Sequence, residues 1–122
     1  MKFTALHPML YTNALQETID FYTGILGFTC AERNEEWGWA SLHKDEVEIM
    51  LAKPNAHIPF SQPTFTGSFY IRTNAVDELW QSLKDKVSVV YAIDNFEWQM
   101  REFAIYDNNG YMLQFGQQIE SA

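Results

Sequence analysis

The chain's 122 residues, 47% hydrophobic and 16% aromatic, hold enough apolar material for one domain with a real core, which excludes a disordered segment. A formal charge of -8 with no Lys/Arg cluster speaks against nucleic acid, leaves neutral or cationic small molecules open, and otherwise fits plain solubility. Cys30 is the only cysteine, the stretch from Met1 to Leu10 has no apolar signal core, and nowhere do eighteen apolar residues run together, so the expectation is a cytoplasmic protein with no membrane partner.

In chain order, Phe3 to Tyr11 reads as a β-rich strand interrupted only by Pro8. Asn13 is placed to cap a helix, with Gln16 three residues on to reach back, and Leu15, Ile19, Tyr22 and Leu26 recur at helical spacing. That helix is expected to stop near Gly24 or Gly27. Phe28 to Asn34, Trp37 to His43 and Val47 to Lys53 then read as three strands, and Pro54 to Pro63, with three of the four prolines, as a connecting loop. Thr64 to Arg72 opens the same series again. Asn74 and Asp77 repeat the capping pair, Val76, Leu79, Trp80 and Leu83 form the second helical stripe, and Val87 to Ile93, Met100 to Tyr106 and Tyr111 to Gln117 supply three more strands. The last two are joined by the hairpin turn Asp107-Asn108-Asn109-Gly110.

The series is a repeat in the letters as well as in the pattern. Thr12-Asn13-Ala14-Leu15-Gln16-Glu17 returns as Thr73-Asn74-Ala75-Val76-Asp77-Glu78, 61 residues later and half of the 122-residue length. The fold class expected is α+β: two tandem βαβββ modules, about 1–60 and 61–122, in a single domain spanning 1–122. A unit of this size leaves one sheet face uncovered, so the modules are expected to close on each other or on a partner chain, with a cavity as the working site.

Two stretches resemble a known family. Phe21-Tyr22 followed by Ile25-Leu26-Gly27-Phe28, and Met100-Arg101-Glu102-Phe103 leading into Asp107-Asn108-Asn109-Gly110-Tyr111, are similar to marks of the vicinal oxygen chelate superfamily, which includes glyoxalases, extradiol dioxygenases and bleomycin-resistance proteins. In the enzymatic branches the resemblance implies a divalent metal held by a His or Gln on the first strand of a module and a Glu on its last strand. His7 stands at the first such position. The repeat carries the matching position to Ser68, a neutral and weak donor. The last-strand Glu, four residues past the turn glycine, falls on Gln114, and in the first module either Glu48 or Met50 takes that place. With Ser68 and Gln114 there, the chain resembles the metal-free bleomycin-resistance-like members, and no cofactor is expected. The alternative is a divalent-metal-dependent lyase, isomerase, transferase or dioxygenase using His7, Glu48 and Gln114. A third reading is an accessory protein whose cleft is vestigial.

Strand alternation gives the candidate lining: His7, Met9 and Tyr11 on the first strand, Ser68, Tyr70 and Arg72 on the fifth, Glu48 with Met50, and Met112 with Gln114. Aromatics, thioethers and a few fixed polar groups suit an organic ligand. Trp37 and Trp98 occupy matching places in the repeat and join the lining, whereas Trp39 and Trp80 suit core or dimer packing. Arg72 suits a partner such as Glu48 or an anionic group of the ligand, and His43 and His57 belong to the surface. Cys30 has no patterned base nearby and no Gly-X-Ser-X-Gly or phosphate-cradling loop occurs, so no catalytic nucleophile is expected. The expected function is sequestration of a cationic or aromatic small molecule in the cleft of a homodimer.

Overall fold

A computed structural model describes residues 1–55, 57 and 59–120. Of the expected connecting loop, Ala56 and Ile58 lie outside the described residues, as do Ser121 and Ala122 at the end of the second module. The chain divides into two compact units, Met1–Gln62 and Pro63–Ala122.

In the first unit the elements are β1 (Met9–Tyr11), α1 (Leu15–Asp20) continued by a π-helical turn (Phe21–Ile25), β2 (Thr29–Asn34), β3 (Trp39–Lys44) and β4 (Val47–Ala52). The second has β5 (Phe69–Arg72), α2 (Val76–Leu83), β6 (Ser88–Asn95), β7 (Met100–Tyr106) and β8 (Met112–Gln118). Each builds a four-stranded mixed sheet, ordered β1-β4-β3-β2 and β5-β8-β7-β6, whose first strand pairs parallel to the last and whose other pairs are antiparallel. The fold is α+β, two βαβββ units.

Alternation decides which face each helix covers. In the first unit Leu10, Ala40, Leu42, Ile49 and Leu51 are buried with Leu15, Ile19 and Tyr22 of the helical segment. Their counterparts in the second are Phe103, Ile105, Leu113 and Phe115 with Val76 and Leu83, and Trp80 lies on Phe103 with ring centroids 5.1 Å apart. Each leucine, isoleucine, valine or phenylalanine among them contributes about 1.5–3 kcal/mol by leaving water.

Three local expectations need correction. The first strand begins at Met9, not Phe3: Pro8 offers its carbonyl to the Met50 amide (2.9 Å) but has no N–H with which to carry the ladder further back. Residues 1–7 are exposed, and Phe3 and Leu6 are about nine-tenths so. Likewise β5 begins at Phe69 rather than Thr64. Neither asparagine caps its helix: the N-cap residues are Ala14 and Ala75, which have no side-chain cap bond, and a threonine holds the turn just before each. Thr12 Oγ1 accepts the Ala14 amide at 3.0 Å and Thr73 Oγ1 the Ala75 amide at 3.2 Å, while Asn13 donates to the Phe60 carbonyl. Gln16 and Asp77 do not reach back; they bond Asp20 and Arg101. At α2 the amide of Val76 is taken by the Gln117 side chain, 3.0 Å away on β8.

The helical segment ends as expected, with Gly27 at φ +80. Leu26 bonds back to Phe21 (3.3 Å) and Phe28 to Tyr22 (2.9 Å), which satisfies the last carbonyls. Asp107 Oδ1 gathers the amides of Asn109, Gly110 and Tyr111 within 3.0 Å and fixes the last hairpin.

Candidate functional site

Each sheet keeps one face clear of its own helix, and the candidate residues collect on these open faces. In the first unit His7 lies just outside β1, yet its Nε2 is 2.6 Å from Glu48 Oε2, and Ser41 Oγ donates to Glu48 Oε1 at 2.8 Å. The His7 and Glu48 side chains are 37% and 33% exposed, so this is a half-open pair rather than a buried one. Beside it Met9, Tyr11, Trp37, Trp39, Glu32 and Lys53 line an open groove of about 480 Å³.

The hairpin turn that holds Trp37 recurs around Trp98. The residue after each tryptophan has positive φ, +67 at Gly38 and +68 at Gln99. Gly38 donates to Glu35 and Gln99 to Phe96, and their carbonyls accept Lys53 and Ile119 amides at 2.8 and 3.0 Å. Trp37 and Trp98 therefore occupy equivalent places, and both are exposed.

The second unit's open face is built around a residue the sequence reading does not single out. Glu102 is only 1% exposed, and every partner donates to it. Trp98 Nε1 lies 2.6 Å and Tyr70 Oη 3.2 Å from Oε1; Tyr91 Oη and Gln114 Nε2, the latter at 3.2 Å, serve Oε2. Four donors on two oxygens saturate a carboxylate. Gln114 Nε2 also meets Tyr91 Oη at 2.8 Å, and Gln114 Oε1 takes the Ser68 hydroxyl. Burial, followed by the hydrogen bond to Glu102, pushes the Tyr91 phenol up to about 12; burial first and then the Glu102 charge raise that of Tyr70.

Glycine makes this arrangement possible. Gly116 stands opposite Glu102 on one side and Arg72 on the other. A Cβ built at Gly116 would fall 1.9 Å from Tyr70 Oη, so the tyrosine ring lies across a position that only glycine leaves vacant. Phe96 stacks on one face of Trp98, centroids 4.9 Å apart and 14° from parallel, and Tyr91 meets Phe96 edge-on.

The twelve sequence candidates thus fall into two sets. His7 and Glu48 touch each other, and Met9, Tyr11 and Trp37 line the groove, with half-buried Met50 paired across from Met9. Ser68, Tyr70, Trp98 and Gln114 join the Glu102 network; Met112 is half-buried at the start of β8, and Arg72 is exposed and forms no ion pair among the described residues. Pairing also fixes the register of β4. Met9 faces Met50 as Tyr70 faces Gln114, so Met50, not Glu48, is the counterpart of Gln114. Tyr91, Glu102 and Gly116 are absent from the sequence set, as are Ser41 and the groove residues Glu32, Trp39 and Lys53. The signal for Glu102 is parity: it stands on the β7 face opposite Phe103 and Ile105.

This donor chemistry does not fit a tight divalent metal. The one oxygen Gln114 could offer is engaged by Ser68, Ser68 is neutral, and Met50 stands where a last-strand carboxylate would be needed. Among the described residues no three His, Cys, Asp or Glu side chains come together in a group able to hold a metal ion.

A family model for the glyoxalase/bleomycin resistance protein/dioxygenase superfamily matches residues 4–115. The chain belongs to that superfamily. A bleomycin resistance protein of Geobacillus stearothermophilus is 28% identical over a 130-residue alignment that covers 93% of this chain and 96% of that protein, and one from Staphylococcus aureus matches equally. The fold is shared more widely. A superfamily structure from Nocardioides superposes with a TM-score of 0.81 at 17% identity, covering 100% of this chain and 87% of its own. A lactoylglutathione lyase structure from Agrobacterium tumefaciens gives 0.69 at 16% identity, covering 93% and 92%.

Proposed function

We propose that this superfamily member binds a small planar or cationic organic molecule on its open sheet faces, as a metal-free homodimer of the cytoplasm, and sequesters the molecule without transforming it. The observation that carries this reading is the commitment of Gln114. Its amide is tied at both ends, to Ser68 and to the Tyr91–Glu102 pair, so the position that would have to ligate a metal instead braces an aromatic wall. The groove along Met9, Tyr11, Trp37 and Trp39 adds apolar and aromatic area suited to a flat ligand. The similarity to bleomycin resistance proteins, at 28% identity, makes bleomycin one sensible probe in a wider panel of planar and cationic compounds.

The test has two arms. Protein purified without chelators is assayed for zinc, nickel, manganese and iron, and tryptophan fluorescence is titrated with the panel. The expected result is less than a tenth of an ion per chain together with saturable quenching by at least one compound. One tightly bound ion per chain, or no quenching by any compound, overturns the proposal. Light scattering tests the dimer, and a monomer at working concentration removes that part.

One observation favours a second reading. His7 and Glu48 are common ligands and already lie 2.6 Å apart, a start on a site for a metal-dependent enzyme of the same superfamily. That reading requires His7→Ala to abolish both metal binding and turnover.

A further inference from the structure

Glu102 is not among the positions that the family resemblance assigns to a metal, yet the second unit surrounds it with aromatic donors. Burying a carboxylate costs several kcal/mol unless it is paired. Here all four partners are neutral donors, and none of the ion pairs formed among the described residues includes it. The hydrogen bonds satisfy its oxygens but leave its negative charge uncompensated. A hydrophobic residue would hold this face together at lower cost, so the charge calls for a use.

We infer that Glu102 makes the open face of the second unit selective for an organic monocation, a quaternary or protonated amine, received on the exposed ring of Trp98 beside Tyr70. The inference rests on the proposed binding function and names its ligand class. Glu102 acts through the rings. Its oxygens are saturated, so a ligand does not touch it; its charge lies at the N–H edge of the Trp98 indole and at the hydroxyl of Tyr70, the two side chains that the ligand does touch. A cation over an indole face is attracted by the ring's own quadrupole, and a fixed anion at the N–H edge of that ring adds to the attraction.

The geometry fits in detail. Trp98 is 57% exposed and Tyr70 40%. Phe96 covers one face of the indole, which leaves the other to receive a ligand. Arg72 shares the face: in the row Arg72, Gly116, Glu102 its backbone stands two strands from Glu102, roughly 10 Å, and its charge acts on the Tyr70 phenol, whose ring lies over the intervening glycine. The cation therefore approaches from the Trp98 side.

The experiment compares choline with 3,3-dimethylbutan-1-ol, its uncharged isostere, by NMR titration of the full chain, following the tryptophan indole N–H resonances. The Trp98 signal is assigned with Trp98→Phe. Expected is binding of choline at least tenfold tighter than the alcohol, with the Trp98 resonance shifting most. In Glu102→Gln the ratio falls to within twofold, and in Glu102→Asp, which keeps the charge, it stays above fivefold. Equal binding of the two compounds by the unaltered chain, or discrimination that survives in a folded Glu102→Gln, overturns the inference. So does a choline response at Trp37 alone. Because the first comparison needs no variant, a Glu102→Gln that fails to fold leaves the inference open to refutation. Failure of the binding proposal looks different: neutral aromatic compounds then also leave every tryptophan unmoved.

Discussion

The two units share one backbone plan and spend their open faces differently. Each places a threonine three residues before its helix, a leucine-, valine- or phenylalanine-rich face against that helix, and an exposed tryptophan in the turn before its third strand. On the other face the first unit holds a half-exposed carboxylate, Glu48, bonded to His7 and Ser41 beside a groove; the second holds a buried one, Glu102, at the polar edges of three aromatic side chains. The helix-covered face is constrained by packing, and a change of even one methylene is felt there. The open face answers only to what it binds, so that is where two copies of one plan diverge.

The largest expected effect tests the shared part. Leu51 and Phe115 are counterparts, each next to the first strand of its sheet. Leu51→Ala is expected to cost about 2–5 kcal/mol and Phe115→Ala about 3–5 kcal/mol in urea unfolding. A loss below 1 kcal/mol in only one of them breaks the equivalence of the cores.

The next effect separates the units. Ala52 and Gly116 occupy the same place, each with its carbonyl taken by the repeat's threonine amide at 3.0 Å. Gly116→Ala has to displace Tyr70 and is expected to cost about 1–3 kcal/mol, with Trp98 fluorescence altered as its network loosens. Ala52→Gly meets no such ring and costs only about 0.5–1 kcal/mol. Equal and small losses show that Tyr70 does not need that gap.

Alkaline stability gives a third test. The Tyr91 phenol is raised from an ordinary value near 10 to about 12, so the folded state favours its neutral form. The stabilisation is fully present below pH 10 and is lost as pH rises through about 12. Tyr91→Phe removes that dependence and, by taking a donor from buried Glu102, costs about 1–3 kcal/mol at pH 7. A variant with an unchanged alkaline unfolding profile contradicts this account. The smallest effect is expected at the first unit's carboxylate: His7→Ala removes a half-exposed His–carboxylate contact and costs at most about 1 kcal/mol in urea unfolding at pH 7.

Much of this was legible in the letters, and the rest was not for physical reasons. The repeat at Thr12 and Thr73, the apolar stripes and the Asp107–Gly110 turn are local signals, and they place the elements. Strand beginnings are not local: β1 starts where Pro8 stops the ladder with β4, and Met9 finds its partner at Met50, 41 residues on. Asn13 is an ordinary cap by type, but Thr12 takes the amide of Ala14 just before the helix, and the asparagine side chain bonds the Phe60 carbonyl instead. Parity alone puts Glu102 on the open face. Its burial depends on Tyr70 from β5, Tyr91 from β6 and Trp98 from a turn meeting over one atom group, and no window of sequence contains all three.

Trp37 and Trp98, held in equivalent turns on different units, give the protein a matched pair of optical reporters. Trp80 is half-buried against Phe103 and will answer mainly to unfolding, while half-buried Trp39 shares the first unit's groove and reports with Trp37. Replacing Trp98 by phenylalanine leaves a chain whose surface signal comes from one unit only. The duplication that built the fold has thereby supplied an internal control for each binding measurement made on it.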